Sequence, residues 1–470
     1  MLSVALEETI AYEDFRIELR YDPNRNTFDL RARSQAGETM VTDFHCPYDF
    51  REIEEALAGI TRSNAQFTRS IQRVAVDTVK VLGSKLFASI SENRVGDLYQ
   101  QSSAMAKDKG RNLRLRFVLD HVWMAALPWE FLFDTTRLDF LTLSTRSPVV
   151  RQWSNAKPPA TVPASIEPPL RMLVAIAEVN KWDEGTAAQE VEVLKGFEKS
   201  TEIEVLPDAT PLKLLAALKS NSFHVLHLIM SGAQLGTGDG TSWGDNPSAA
   251  FTAPPLHTLL MLSDTSTGST YNAQSVEMSH WFEVISQTQK ELQLINFSGD
   301  LTDWLACQTT EISPSTLGWR GHNTVEAYLS FTKGFYGALA DGLPLEVAVT
   351  YGRKEIDANY PGGKEWGMPV FYMQNENSPV LRQPKRVHEI TSSGRNVIKR
   401  KGKAPQDPHS EREWRKLQVL MASAEENYQA LQQEVSKFTG QAVPEYLELQ
   451  MTEVVEKISG LKSQLKRLSK

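Results

Sequence analysis

Two short apolar runs along the chain end abruptly in small and polar residues. They are Asn221–Gly232, NSFHVLHLIMSG, and Glu291–Asp300, ELQLINFSGD. Apolar runs of this length bounded by turn residues predict buried strands. Between and around them the pattern switches repeatedly between strand and helix periods. Leu170–Ala177 predicts a strand, and Glu190, Val191, Val193, Leu194 and Phe197 an acidic amphipathic segment. A strand at Ile203–Leu206 and a helix at Pro211–Lys219 follow. Beyond a long polar loop at 232–254 the pattern predicts a strand at Leu256–Leu262, a helix at Ser275–Lys290 and helices at Val325–Leu339 and Leu345–Ile356. Met368–Met373 is a closing strand. This alternation predicts an α/β fold with a mostly parallel sheet flanked by helices. In such sheets ligands and reacting groups sit past the carboxyl ends of the strands. That places a site at Met230–Ala233 and Phe297–Asp300.

Upstream, residues 13–40 alternate as two strands around the turn Tyr21–Thr27, and predict a hairpin. Phe50–Ile60 and Ser70–Ile90 carry helical spacing, and Leu113–Leu119 reads as a strand. Ser154–Pro169 is proline-rich, and sets a boundary between an N-terminal α+β region at 1–155 and a domain at 168–380. Residues 381–409 are basic and proline-bearing, and read as a solvated linker. No aromatic residue interleaves there to stack bases. Residues 410–470 are the most regular part of the chain. Trp414, Leu417, Tyr428 and Leu431 step by helical spacing, Gly440 caps, Pro444 reopens, and Leu447, Ile458, Leu461 and Leu465 repeat the stepping. An antiparallel helical hairpin follows, whose apolar seam needs a partner surface. Those eight residues are the expected partner-binding positions.

Composition narrows the function. The net charge of −8 does not favour nucleic acid, and no apolar run reaches membrane-spanning length. The acidic N-terminus lacks a basic leader, and two cysteines, Cys46 and Cys307, fit a reducing cytoplasm. No CxxC, HExxH or P-loop spacing occurs, so no metal or cofactor is expected. Asp300 and Asp303 read as loop carboxylates, Gly236–Gly240 as loop chemistry, and Trp129 and Trp366 as core aromatics.

Several motifs together carry a resemblance. Leu82–Phe87 (LGSKLF), Asn112–Arg116 (NLRLR), Leu127–Glu130 (LPWE), Leu317–Arg320 (LGWR), the run from Ala327 through Phe331 and Phe335 to Gly342, and Trp366–Tyr372 (WGMPVFY) resemble bacterial CHAT domains, a branch of the caspase-like fold. The resemblance covers about two thirds of the chain. It implies a cysteine peptidase framework whose catalytic His follows a strand of form LHFxGHG and whose Cys follows one of form LNAC. The first pattern falls on Leu226–Gly232, where His227 matches a non-catalytic strand histidine. The catalytic histidine falls on Ser231, or on Ala233 with a shifted loop. The nucleophile position falls on Ser298. A serine needs a base within hydrogen-bond reach, and Ser231 offers none.

Two classes of function remain. The first is a pseudo-peptidase, an adaptor or scaffold with protein partners in bacterial defence or cell-death signalling, able to form homo-oligomers. The second is an enzyme, either a peptidase using Cys307 with His322 or His227, or a serine hydrolase using Ser298. A histidine inside an apolar strand is ordinarily a bonded core residue, and a cysteine nine positions past the strand end an inert thiol.

Overall fold

The computed structural model describes residues 11–381 with internal gaps, the longest at 49–68, 157–164, 178–183, 235–256, 263–272 and 277–283. Position 231 is one of the shorter gaps, and beyond 381 only position 462 is described. The helix at Phe50–Ile60, Cys46, Ser231, Gly236–Gly240, the linker at 382–409 and the hairpin with its eight seam residues therefore lie outside the described residues.

The chain folds as a mixed α/β structure around one large, mostly parallel sheet flanked by helices. The N-terminal strands are β1 (Tyr12–Asp22), β2 (Thr27–Ser34) and β3 (Gly37–Phe44), followed by helices α1 (Arg69–Ser91) and α2 (Arg94–Asp108). Then come β4 (Asn112–Leu119), β5 (Val149–Trp153) and β6 (Leu170–Ile176). Helix α3 (Glu184–Lys195), β7 (Thr201–Leu206), α4 (Pro211–Ser220) and β8 (Val225–Ile229) lead to the first key strand. The second is β9 (Leu294–Ser298). After it come α5 (Asp303–Gln308), β10 (Ser315–Trp319), α6 (Val325–Ala340), α7 (Leu345–Asn359) and β11 (Pro369–Met373).

The strand order is β7-β6-β8-β9-β10-β11-β5-β4-β1-β2-β3. Only β10/β11, β1/β2 and β2/β3 are antiparallel. The proline-rich seam thus falls within one sheet. β11 pairs with β5 through Tyr372 and Arg151, and β5 pairs with β4. Residues 1–385 group as one compact unit and 386–470 as a second. Regions 1–155 and 168–380 are therefore not separate bodies: their strands share hydrogen bonds.

The pattern of β4 explains that join. All but its first residue are buried, Arg114 and Arg116 included. Arg114 Nε bonds Asp14 Oδ1 of β1 at 2.6 Å, and its NH1 bonds Glu346 of α7 at 2.7 Å. Arg116 donates to the carbonyls of Met373 at 2.9 Å and Asn375 at 3.0 Å. Buried cations are costly unless they are paired and hydrogen-bonded. Here the matching groups come from both ends of the compact unit.

The expected helix at Ser275–Lys290 is not one helix. Ala273–Val276 is a strand paired antiparallel with His257–Leu262 in a separate small sheet, and a short helix occupies 284–288. Pairing with a neighbouring strand overrides the local helical spacing. The polar stretch read as loop from 232 begins with the third strand of that sheet, Gly232–Gln234.

Candidate functional site

β8 and β9 lie side by side and parallel, with His227 opposite Asn296 and Ile229 opposite Ser298. Side chains alternate across a sheet, so each strand divides its residues between two layers. Val225, Ile229 and Leu294 join one core cluster. Leu226, Leu228, Ile295 and Phe297 join the other. His227, Asn296 and Ser298 fall on the face of the first cluster, beneath α3 and α6.

That face holds a buried polar network, in which only the Asn296 carbonyl oxygen, among the groups named here, has no partner. Ser298 Oγ donates to Glu190 of α3, at 2.7 Å from Oε1 and 3.0 Å from Oε2. Thr332 of α6 donates to the same carboxylate at 2.7 Å. His227 Nε2 lies 3.2 Å from Glu190 Oε1. On its other side, His227 Nδ1 lies 2.9 Å from the Tyr336 hydroxyl and 3.1 Å from Asn296 Nδ2. An amide N–H can only donate, so Nδ1 accepts and the ring N–H lies on Nε2, toward Glu190. Burial, with Glu190 nearby, pushes the Tyr336 phenol far above its ordinary value. Glu190 and His227 are 0% exposed and Ser298 is 2% exposed. A carboxylate so deep is tolerable because four donor contacts from three hydroxyl or imidazole groups surround it.

Chemically, Ser298, which the resemblance puts at the nucleophile position, has its proton committed to a carboxylate rather than to an imidazole. Its oxygen points into packed protein. Withdrawing that proton would place an alkoxide beside a buried anion, which the interior strongly opposes. Ser231, where the resemblance puts the catalytic histidine, lies outside the described residues.

The runner-up groups do not meet. Cys307 of α5 is buried in the second cluster, across the sheet from His227. Burial pushes its thiol far up despite a hydrogen bond with Tyr372. A thiol held protonated is a poor nucleophile. His322 bonds elsewhere. Its Nδ1 lies 2.8 Å from Asp300 Oδ2, and Asp300 Oδ1 accepts from the Tyr328 hydroxyl at 2.7 Å and the Asn323 N–H at 2.9 Å. Burial alone would raise the Asp300 carboxyl, but these donors outweigh it and hold it below the usual range. The turn is shaped by Leu301, at φ 57°, whose N–H bonds the carbonyl of Gly321, itself at φ 61°. Asp303 lies 3.7 Å from Arg320. Among the described residues no group of three His, Cys, Asp or Glu is arranged to hold a metal ion.

Three of these sequence motifs serve the scaffold. Glu130 of LPWE makes a two-point pair with Arg151 at 2.8 and 2.5 Å. Arg151 also bonds the Leu127 carbonyl at 2.8 Å, and Arg320 of LGWR bonds the Ala126 carbonyl at 3.0 Å. Trp129 stacks on Phe117 with ring centroids 4.5 Å apart, and Trp366 meets Phe131 edge-on at 5.1 Å. Glu190 is the residue that periodicity undersold. It sits one position before Val191 and four before Leu194, inside the apolar stripe of α3, and a lone carboxylate there is the signal of a buried partner.

A family model described as the CHAT domain matches residues 79–338. No curated protein matches the sequence. Among solved structures, the chain is similar to Saccharomyces cerevisiae separase in the separase–securin complex, with TM-scores of 0.38 and 0.39 in two crystal structures at 11% identity. Those alignments cover 79% and 78% of this chain but only 30% of the separase chain, so the chain spans less than a third of that protein. It is also similar to the Arg specific cysteine proteinase gingipain R, with a TM-score of 0.36 and 9% identity over 66% of this chain and 76% of that one.

Proposed function

The chain belongs to the CHAT domain family, of caspase-like and peptidase-type fold, and from that premise we propose that it is a catalytically inactive member, a pseudo-peptidase that binds protein partners. Its setting in this reading is a bacterial defence or cell-death system, where it acts as an adaptor, scaffold or regulator of another component. One observation carries the proposal: the Ser298 hydroxyl is spent on Glu190 inside a buried network. Losing the nucleophile of a catalytic unit leaves only the residual effects of binding and oxyanion donors. The buried thiol of Cys307 supports the same reading. Adaptor function is the use that then remains for the fold, through its sheet edges and the seam at 410–470.

The test is labelling by a thiol-reactive peptide probe, run beside a peptide-cleavage assay, on the native chain and on Cys307→Ala. We expect no specific labelling and no cleavage by either. Labelling that disappears in Cys307→Ala, together with peptide cleavage, would overturn the proposal.

A further inference from the structure

The eleven-stranded sheet ends at β7 on one side and at β3 on the other, and the two ends are finished differently. Along β3, Glu38 is bridged by Arg31 and by Arg33, the latter at 2.8 Å. A register shift between Phe28 and Leu30 bends the β2–β3 pair. Such features turn an end strand away from further pairing. β7 has neither. It pairs with β6 in unbroken parallel register from Thr201 to Leu206, and among the described residues no strand lies on its other side.

Its side chains are sorted by charge. Ile203 packs partly on the first cluster and Leu206 partly on the second. Alternation therefore puts Thr201, Ile203 and Val205 on one face and Glu202, Glu204 and Leu206 on the other. Glu202, Glu204 and Val205 are exposed. From Thr201 to Leu212 the sequence holds three carboxylates, Glu202, Glu204 and Asp208, and no basic residue. Leu212, at the start of α4, is 64% exposed.

We infer that the outer edge of β7 docks an extended segment of a partner protein in which Lys or Arg alternates with apolar residues. The edge's outward N–H and C=O groups, which no strand pairs among the described residues, form the main-chain bonds of an added strand. The basic side chains fall on the Glu202–Glu204 face, where opposite charges across a strand pair stabilise it. The apolar side chains fall beside Ile203 and Val205. A second copy of this chain is a poorer occupant. Pairing β7 with itself about a two-fold axis perpendicular to the sheet and through Ile203 sets Glu202 against the copy's Glu204 and Glu204 against its Glu202, and like charges so placed repel. The inference deepens the binding reading and rests on it.

The probe is an acetylated, amidated peptide of three Lys-Val repeats, compared with three Glu-Val repeats, added to the full chain. Binding is read by fluorescence anisotropy, and its place by hydrogen exchange of residues 201–206. We expect the lysine peptide to bind about tenfold tighter than the glutamate peptide, a difference of two charge pairs, to protect 201–206 and to weaken with salt. Glu202→Lys with Glu204→Lys, both exposed positions, should reverse the preference. Absent binding, protection elsewhere, an unchanged preference in the double variant, or a concentration-dependent dimer protected at 201–206 would each overturn the assignment. Cleavage of the lysine peptide would overturn the binding reading instead, leaving the edge to be judged by exchange.

Discussion

At the scale of single residues, the carboxylates decide what the strand ends can do. Glu190 fixes Ser298, so a sulfur placed there would not act as a nucleophile. In Ser298→Cys the thiol would face a buried carboxylate, and both burial and the like charge would hold it protonated. We expect no reaction with iodoacetamide at position 298 in the native state and full reaction in guanidinium, read by peptide mapping. Native labelling at 298 would refute this. Asp300 makes a prediction in pH. Its carboxyl is depressed by its donors, so it stabilises the fold above the ordinary Asp value of about 3.9. That contribution disappears as pH falls through the lower folded value. Asp300→Asn should flatten the acid limb of stability below about pH 4, as followed by urea unfolding across pH. Part of this site is legible in the sequence. The abrupt ends of two apolar runs point to Ser298 and His227, but period-two alternation does not say which distant helix lies over which face. Glu190 is 108 residues from Ser298 in the chain, and only tertiary packing makes them neighbours.

At the scale of elements, helix α6 is held by features its sequence displays. Thr324 caps it, accepting from the Ala327 N–H, and Glu365 accepts in turn from Thr324. Its apolar stripe, Ala327, Phe331, Phe335 and Leu339, is buried at helical spacing. Its crossing with α7 is closer than the pattern alone implies. A Cβ built on Gly334 would lie 2.7 Å from the Tyr351 carbonyl oxygen and 2.9 Å from Glu355 Cβ. Gly334→Ala should therefore destabilise the chain by about 1–3 kcal/mol, as overpacking does, although alanine is the better helix former by about 1 kcal/mol. A urea midpoint shifted upward would show that the helices can part freely. Where period and neighbour agree, as in the β1–β2 hairpin and α6, the element is readable in advance. They disagree at Ala273–Val276, where pairing with His257–Leu262 makes a strand of a helical pattern. α2 is silent for another reason: its stretch from Gln100 to Asp108 is mostly polar, and only packing against neighbouring strands sets its inner face.

At the scale of the whole compact unit, the proline-rich seam misleads because it separates chain segments without separating structure. β11 ends the chemistry-bearing half of the sheet, yet its outer side is paired with β5, and Arg116 of β4 holds the carbonyls that follow it. Removing residues 1–155 would strip β11 of its neighbour and leave Glu346 without Arg114. It would also leave Glu130's partners Arg151 and Arg320 divided between the deleted and retained parts. A bare, apolar central strand is an aggregation edge, and a buried charge stripped of its partner is strongly destabilising. A chain of residues 168–385 should therefore be insoluble or molten, whereas residues 11–385 should unfold in one cooperative transition, both followed by circular dichroism and calorimetry. A soluble 168–385 fragment with sharp near-ultraviolet dichroism would mean that the seam is a true domain boundary. Because the expected fragment is unstable for want of strand partners rather than of core, supplying residues 11–155 in trans should rescue its solubility, and failure of that rescue would place the missing stability elsewhere.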